Sequence, residues 1–321
     1  MKLRLGFIGT GSFTGMHMGL LQNMEGVELA SVCGSKPGSA DSIAAKFGAK
    51  PYNHYMEMLE NEKLDAVFIC TPPYAHGPVE QELIERRIPF FVEKPIGLDP
   101  ELMGQLEAAI SATKLITSVG YHYRYLPSTE KAREIISGQK IGLVNGHWLG
   151  GMPMVSWWRA NETSGGQLHE QTTHIIDLMR YICGEIVEVY AAYNLLEMHK
   201  IEGTNVPDVG AVTVKFQSGA VGTITNSCMI NGYSYAGLQI YTTEGAVELK
   251  AGDVKHSTGV QEHFYRFDAN PYIEELNSFL HAVRTGDTSR IRSSYADAYR
   301  TFRVTMACNE SAKTGMPVRL M

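Results

Sequence analysis

Across the first 120 residues, short β-type runs rich in apolar residues alternate with stretches whose apolar residues recur every three to four positions. The runs at 3–8, 27–33, 65–70, 89–92 and 115–119 predict buried strands, and 14–24, 40–47, 79–87 and 100–112 predict the helices between them. Thr71-Pro72-Pro73 ends the third run abruptly, because proline supplies no donor to a ladder. Strands alternating with helices of this length imply βαβ units and a parallel, doubly wound sheet.

The rhythm then changes. After a helix near 129–136, the segments 143–149, 186–198, 209–216, 220–230, 236–242 and 246–250 alternate as strands, separated by turn-like pieces such as Gln217-Ser218-Gly219 and Thr243-Glu244-Gly245. This predicts an α+β half with a large, mostly antiparallel open sheet and helices on one face. Two helices, at 271–285 and 294–313, close the chain. With 321 residues and ~150 per domain, two domains are expected, 1–120 and 121–321, with the junction near Gly120-Tyr121.

Composition narrows the class. Hydrophobic residues make up 44% and charged residues 19%, enough for packed cores. A net charge of −6 argues against nucleic acid or an anionic membrane as partner. No apolar run reaches the ~18 residues of a membrane span, and the start MKLRLGFIGTG meets glycine too early for a signal peptide. Five scattered cysteines without a CxxC pair fit reduced thiols, so a cytoplasmic protein is expected.

Gly9-Thr10-Gly11-Ser12-Phe13-Thr14-Gly15 follows the first strand and opens the first helix. Glycines there let backbone approach a pyrophosphate, whose charge a helix N-terminus favours. The third fingerprint position is Thr14, with Gly15 one place later, so a small side chain must fit between helix and strand. NAD enzymes usually carry Asp or Glu after the second strand. Here the chain reads Cys33-Gly34-Ser35-Lys36, and Ser35 and Lys36 suit a 2′-phosphate, so NADP is favoured over NAD about 2 to 1.

Two further groups carry chemistry. Glu93-Lys94-Pro95 follows the 89–92 strand at the carboxyl edge of the sheet, where Thr71, Pro72 and His76 are expected to line the same crevice. Within the segment 164–182, one helix is expected after Gly165-Gly166, glycines that suit close approach of a ligand. At ~100° per residue it gathers Glu170, His174, Asp177 and Tyr181 into one sector of about 60°, opposite Leu168, Ile175, Met179 and Ile182. Glu170 and His174 lack obvious further metal ligands, so no metal is assigned.

The segments GFIGTGSFTG, CTPPYAHGPV, EKP, VGYHYRY, WWR, GGQLHEQTTHIIDL and SAKTGMPVRL, in this order, resemble the glucose–fructose oxidoreductase / inositol dehydrogenase / rhizopine-catabolism (Gfo/Idh/MocA) family of nicotinamide-dependent oxidoreductases. The resemblance implies that Lys94 meets substrate and cofactor, that His174 is the catalytic histidine, and that Glu170 stands where the family usually has Asp. It also implies a cofactor role for Trp158 and Arg159 and a place for Tyr121 and Arg124 at the exit from the nucleotide domain. Together with Gly9, Gly11, Ser12, Phe13, Ser35, Lys36, Thr71, Pro72, His76 and Glu93, these form the expected site.

The expected reaction is reversible oxidation of a secondary alcohol of a sugar, polyol or related cyclic compound. His174 takes the proton, Lys94 assists at the reacting oxygen, Glu170 binds a neighbouring hydroxyl or tunes the histidine, and Asp177 is a candidate to orient it. Two alternatives keep the same residues: an NAD-dependent redox-elimination glycosidase and a non-catalytic nucleotide-binding sensor. Finally, the alternating residues of 209–214 and 220–225 would leave a flat, almost uncharged sheet face in water. This predicts a homo-oligomer, dimer or tetramer, built on the second sheet.

Overall fold

The apolar runs of the amino-terminal half become strands β1 (Leu3–Ile8), β2 (Val27–Cys33), β3 (Lys50–Tyr52), β4 (Ala66–Ile69), β5 (Phe90–Val92) and β6 (Thr117–Val119). The computed structural model describes residues 2–320. These six strands form one parallel sheet in the order β3-β2-β1-β4-β5-β6. Helices α1 (Ser12–Leu21), α2 (Asp41–Phe47), α3 (Tyr55–Asn61), α4 (Pro78–Glu85) and α5 (Pro100–Thr113) supply the crossovers. Strand β3 and helix α3 lack a sequence signal, since Lys50-Pro51-Tyr52 holds a proline and only Tyr52 is buried. An edge position tolerates that.

The second half holds β7 (Ile141–Leu149), β8 (Ile186–Asn194), β9 (Val209–Phe216), β10 (Val221–Ser227), β11 (Tyr235–Thr242), β12 (Gly245–Lys250), β13 (Asp253–Ser257), β14 (Glu262–Arg266) and β15 (Val318–Arg319). They make a nine-stranded sheet in the order β14-β13-β12-β11-β7-β10-β9-β8-β15. Every pair is antiparallel except β7 with β10. The strand expected over 186–198 stops at Asn194. There the Asp208 carboxylate draws the backbone N–H groups of Leu196, Glu197 and Met198 to 3.0, 2.6 and 2.8 Å, pulling them out of the ladder. Burial alone would raise the Asp208 carboxyl, but these N–H groups hold it below the usual range.

Helices α6 (Pro127–Ile136), α7 (Asn161–Ser164), α8 (Gln167–Glu170), α9 (Thr173–Cys183), α10 (Pro271–Thr285) and α11 (Tyr295–Thr314) complete the chain. Ile175, Ile176 and Met179 of α9 and Val304, Ala307 and Cys308 of α11 share one core with Val144, Val212, Ile224, Leu238 and Val247 of the sheet. Gly146 permits this close seat. A Cβ there would stand 2.5 Å from Ile175 Cγ2.

The chain divides into two compact units, residues 1–120 with 272–299 and residues 121–271 with 300–321. The expected span of 121–321 therefore loses a segment to the first unit. Leu276, Phe279 and Leu280 of α10 are buried with Leu5, Phe7, Phe68 and Phe91, at about 1.5–3 kcal/mol per side chain.

Gly9 decides the turn after β1. Its φ is +112°, and a Cβ there would lie 2.3 Å from the carbonyl oxygen of Cys70. Gly9→Ala is expected to cost roughly 2 kcal/mol or more, read as a lower urea midpoint. An unchanged midpoint would show that the turn relaxes freely.

Candidate active site

In a parallel sheet all carboxyl ends fall on one edge, and the order reverses between β1 and β4. That edge carries four loops of the first unit. After β1, Gly11 caps α1 in an extended conformation, so the helix begins at Ser12, two residues earlier than its apolar pattern indicates. A Cβ on Gly11 would meet nothing within 4 Å, so this loop presents open backbone. Thr14 is fully buried and fills the third fingerprint position, while Phe13 stays exposed. After β2, Ser35 and Lys36 are exposed in a turn closed by Ser39 Oγ, which donates to the Lys36 carbonyl at 2.7 Å. No carboxylate occurs from Gly34 to Ala40.

After β4, Thr71 and Pro72 are half-buried, and Thr71 Oγ1 is a buried hydroxyl without a partner among the described residues. His76 differs from expectation. Its Nδ1 lies 2.6 Å from Glu80 and its Nε2 lies 3.1 Å from the Thr71 carbonyl, so the buried ring braces its own loop. After β5, Glu93 is also buried, 2.7 Å from His17 Nε2 of α1. His17 carries no sequence signal beyond its place on α1. Lys94 next to it is half-buried. Open glycine backbone, a helix N-terminus and an orphaned hydroxyl at this edge fit a dinucleotide's phosphates and ribose.

In the second unit the single helix expected after Gly165-Gly166 is broken between Glu170 and Thr173. Gly165 and Gly166 take φ of +75° and +87°, and the Gln167 carbonyl accepts from both Gln171 and Thr172 before α9 starts. Glu170 therefore ends α8 while His174 sits in the first turn of α9. Trp158 is 1% exposed, and its indole N–H donates to Glu170 Oε2 at 2.6 Å. Arg159, beside it, is half-buried.

His174 is 5% exposed, and four rings wall it: Tyr121 at 5.9 Å, His122 at 4.9 Å, Tyr123 at 5.1 Å and Trp148 at 5.7 Å between centroids. Trp148 escapes sequence reasoning because no motif position marks it, while His122 and Tyr123 lie within VGYHYRY, where only Tyr121 and Arg124 are singled out. Tyr121 donates to or accepts from Thr173 Oγ1 at 2.8 Å, and burial pushes its phenol well above the usual range.

Asp177 does not orient the histidine. Its two oxygens take Arg124 Nε and Nη2 at 2.7 and 2.6 Å, and Thr301 Oγ1 donates to Oδ1 at 2.9 Å. The Arg124 guanidinium also lies 4.7 Å over the Tyr181 ring. Asp177, Arg124 and Tyr181 thus form a buried brace, because the face of α9 read as open to ligand packs against neighbouring elements.

The chain was compared with known proteins. The family model described as "Oxidoreductase family, NAD-binding Rossmann fold" matches residues 3–121, and that of the "GFO/IDH/MocA C-terminal domain" matches residues 129–248. Scyllo-inositol 2-dehydrogenase (NAD(+)) of Bacillus subtilis is 27% identical, covering 99% of this chain and 96% of the relative. Myo-inositol 2-dehydrogenase of Thermotoga maritima is 26% identical over 89% of each. The structure of a levoglucosan dehydrogenase in complex with NADH superposes with a TM-score of 0.89 at 20% identity over 100% of both chains, a likeness of fold.

Proposed function

Since the chain belongs to the Gfo/Idh/MocA oxidoreductase family, with an NAD-binding Rossmann fold at residues 3–121, we propose that it is an NAD(P)-dependent dehydrogenase or reductase acting on a secondary alcohol or ketone of a sugar, polyol or related cyclic compound. The observation that carries this reading is the break between α8 and α9, which sets an aromatic-walled imidazole four residues after a carboxylate held by an indole. The inositol and levoglucosan substrates named for relatives support the polyol class.

When bound, the nicotinamide supplies the hydride acceptor. His174 takes the hydroxyl proton, its ring orientation set by the four surrounding rings. Lys94 donates to the reacting oxygen and stabilises charge growing there. Glu170 accepts from a neighbouring substrate hydroxyl. Its Oε2 already receives the Trp158 N–H, a group that can only donate. Trp158 thereby acts through Glu170, and Tyr121 and Arg124 act by holding α9. Gly9, Gly11, Ser12 and Phe13 shape the pyrophosphate loop, while Thr71 and Pro72 shape the wall next to it. Glu93 and His76 hold their loops in place.

Absorbance at 340 nm across a sugar and polyol panel, with NAD and NADP, tests the reading. Reduction of the cofactor with at least one compound is expected. Bond cleavage without net reduction would favour redox elimination, and silence on every compound would favour a sensor.

For the cofactor, exposed Ser35 and Lys36 and the missing acid support NADP, although relatives are named with NAD and NADH. Thermal shift should rise more with NADP than with NAD at equal concentration, following RT ln(1 + [L]/Kd). Lys36→Glu should reverse that order, and an order set by NAD in both proteins would refute the preference.

The face of the large sheet away from α9 exposes Leu143, Tyr190, Val221 and Tyr241 among threonines such as Thr213 and Thr223. Such a face supports a homo-oligomer through the second sheet. Light scattering at micromolar concentration is expected to exceed the monomer mass, and 35.5 kDa alone would refute it.

A further inference from the structure

Beneath α8, on the inner face of the large sheet, a cavity of about 20 Å3 is lined by Gly165, Gln167, Leu168, Tyr193, Asn226 and Asn309, among others. Gln167 and Asn226 are 2% and 5% exposed, and their amides share one hydrogen bond, Asn226 Nδ2 to Gln167 Oε1 at 2.8 Å. Three buried polar atoms of these lining side chains have no partner among the described residues: Gln167 Nε2, Asn226 Oδ1 and Tyr193 Oη.

The remainder is independent of how the two amides are turned. Two carboxamides that share one hydrogen bond always leave one NH2 group and one carbonyl oxygen over. A buried donor or acceptor without a partner costs roughly 1–3 kcal/mol, so native cores seldom keep them. One species answers both together, a hydroxyl-type oxygen that accepts from the amide NH2, donates to the amide oxygen and exchanges a hydrogen bond with a phenol. A single water needs about 10–15 Å3 and two to four polar partners. The cavity meets both conditions and is too small for a sugar.

We propose that this cavity binds one ordered water, which completes the Gln167–Asn226 amide pair and so ties α8 to strand β10. Gln167 is the first residue of α8, and its carbonyl accepts from Gln171 N at 2.9 Å and Thr172 N at 3.0 Å. The water therefore anchors the residue on which the break before α9 is hung. Gln167 and Asn226 are positioning residues, acting on the chain that carries Glu170. The proposal stands whether or not Glu170 has the role given above, because its test reads no catalysis.

A crystal structure of the full chain, at a resolution that displays ordered solvent, is the direct test. A peak within hydrogen-bond distance of one amide group of each residue and of Tyr193 Oη is the expected result. A dry cavity, or amides rotated onto protein partners, would overturn the proposal. Amide hydrogen exchange measures the anchoring. Asn226→Leu should speed exchange at Glu170, Gln171 and Thr172 about tenfold or more, with β1 amides as unaffected controls. If that variant does not fold, Tyr193→Phe removes one partner only, and the same three amides should again exchange faster. Unchanged exchange in the folded variant would rule out the anchor.

Discussion

Replacing His174 with alanine is expected to lower kcat about 10²-fold or more, while the dissociation constant for the dinucleotide stays at its wild-type value. The imidazole is the one group of the second unit assigned to move a proton, and its ring is enclosed by Tyr121, His122, Tyr123 and Trp148. Alanine leaves the Gly9–Gly11 loop of the first unit intact. The check is steady-state turnover on the best compound of the panel, with a fluorescence titration of the dinucleotide alongside. An unchanged kcat would remove His174 from the mechanism. A lost affinity for the dinucleotide with kcat preserved would move it from chemistry to binding.

Asp177→Ala should unfold the protein far more readily, by about 3–5 kcal/mol, because it deprives the buried Arg124 guanidinium of its carboxylate. Arg124 and Asp177 are 3% and 1% exposed at the side chain, and two charge-assisted hydrogen bonds join them. Thr301 Oγ1 adds a third bond, and Arg180 donates in turn to that hydroxyl at 2.6 Å. Replacing both ions together, as Arg124→Met with Asp177→Leu, should cost much less than the sum of the single losses, since the desolvation penalty disappears with the charges. Denaturant melts of the two single variants and the double variant measure the coupling. Additive losses would mean that the pair contributes no more than its packing.

Much of the architecture is legible in the chain. The runs at 27–33 and 209–216 coincide with β2 and β9, because each holds the pattern its surroundings demand: a mostly apolar run for a parallel strand inside the sheet, strict alternation for a half-covered one. The helix expected after Gly165-Gly166 is misread for an equally physical reason. Angular bookkeeping assumes an unbroken 3.6-residue repeat, and the doubly accepting carbonyl at Gln167 ends α8 and resets the phase before α9. Glu170 and Asp177 consequently do not share a helix. His76 and Glu93 look like ligand groups in sequence, yet they are bonded to Glu80 and His17. A buried His–carboxylate pair and an exposed binding pair have the same composition.

By itself the sequence determined the two fold types, the glycine turn after β1, the family motifs and the residue types available for chemistry. These are local properties, set by backbone conformation, side-chain period and short-range spacing. Only the tertiary structure decided that α10 packs with the first sheet, that Asp177 neutralises Arg124, that Trp158 holds Glu170, and that His174 sits among rings of residues 121–123 and of strand β7. The partners in those contacts lie from 12 to 53 residues apart in the two hydrogen-bonded cases. Which of several chemically suitable partners a buried donor or charge meets depends on desolvation and packing across the whole unit, and no local pattern encodes that.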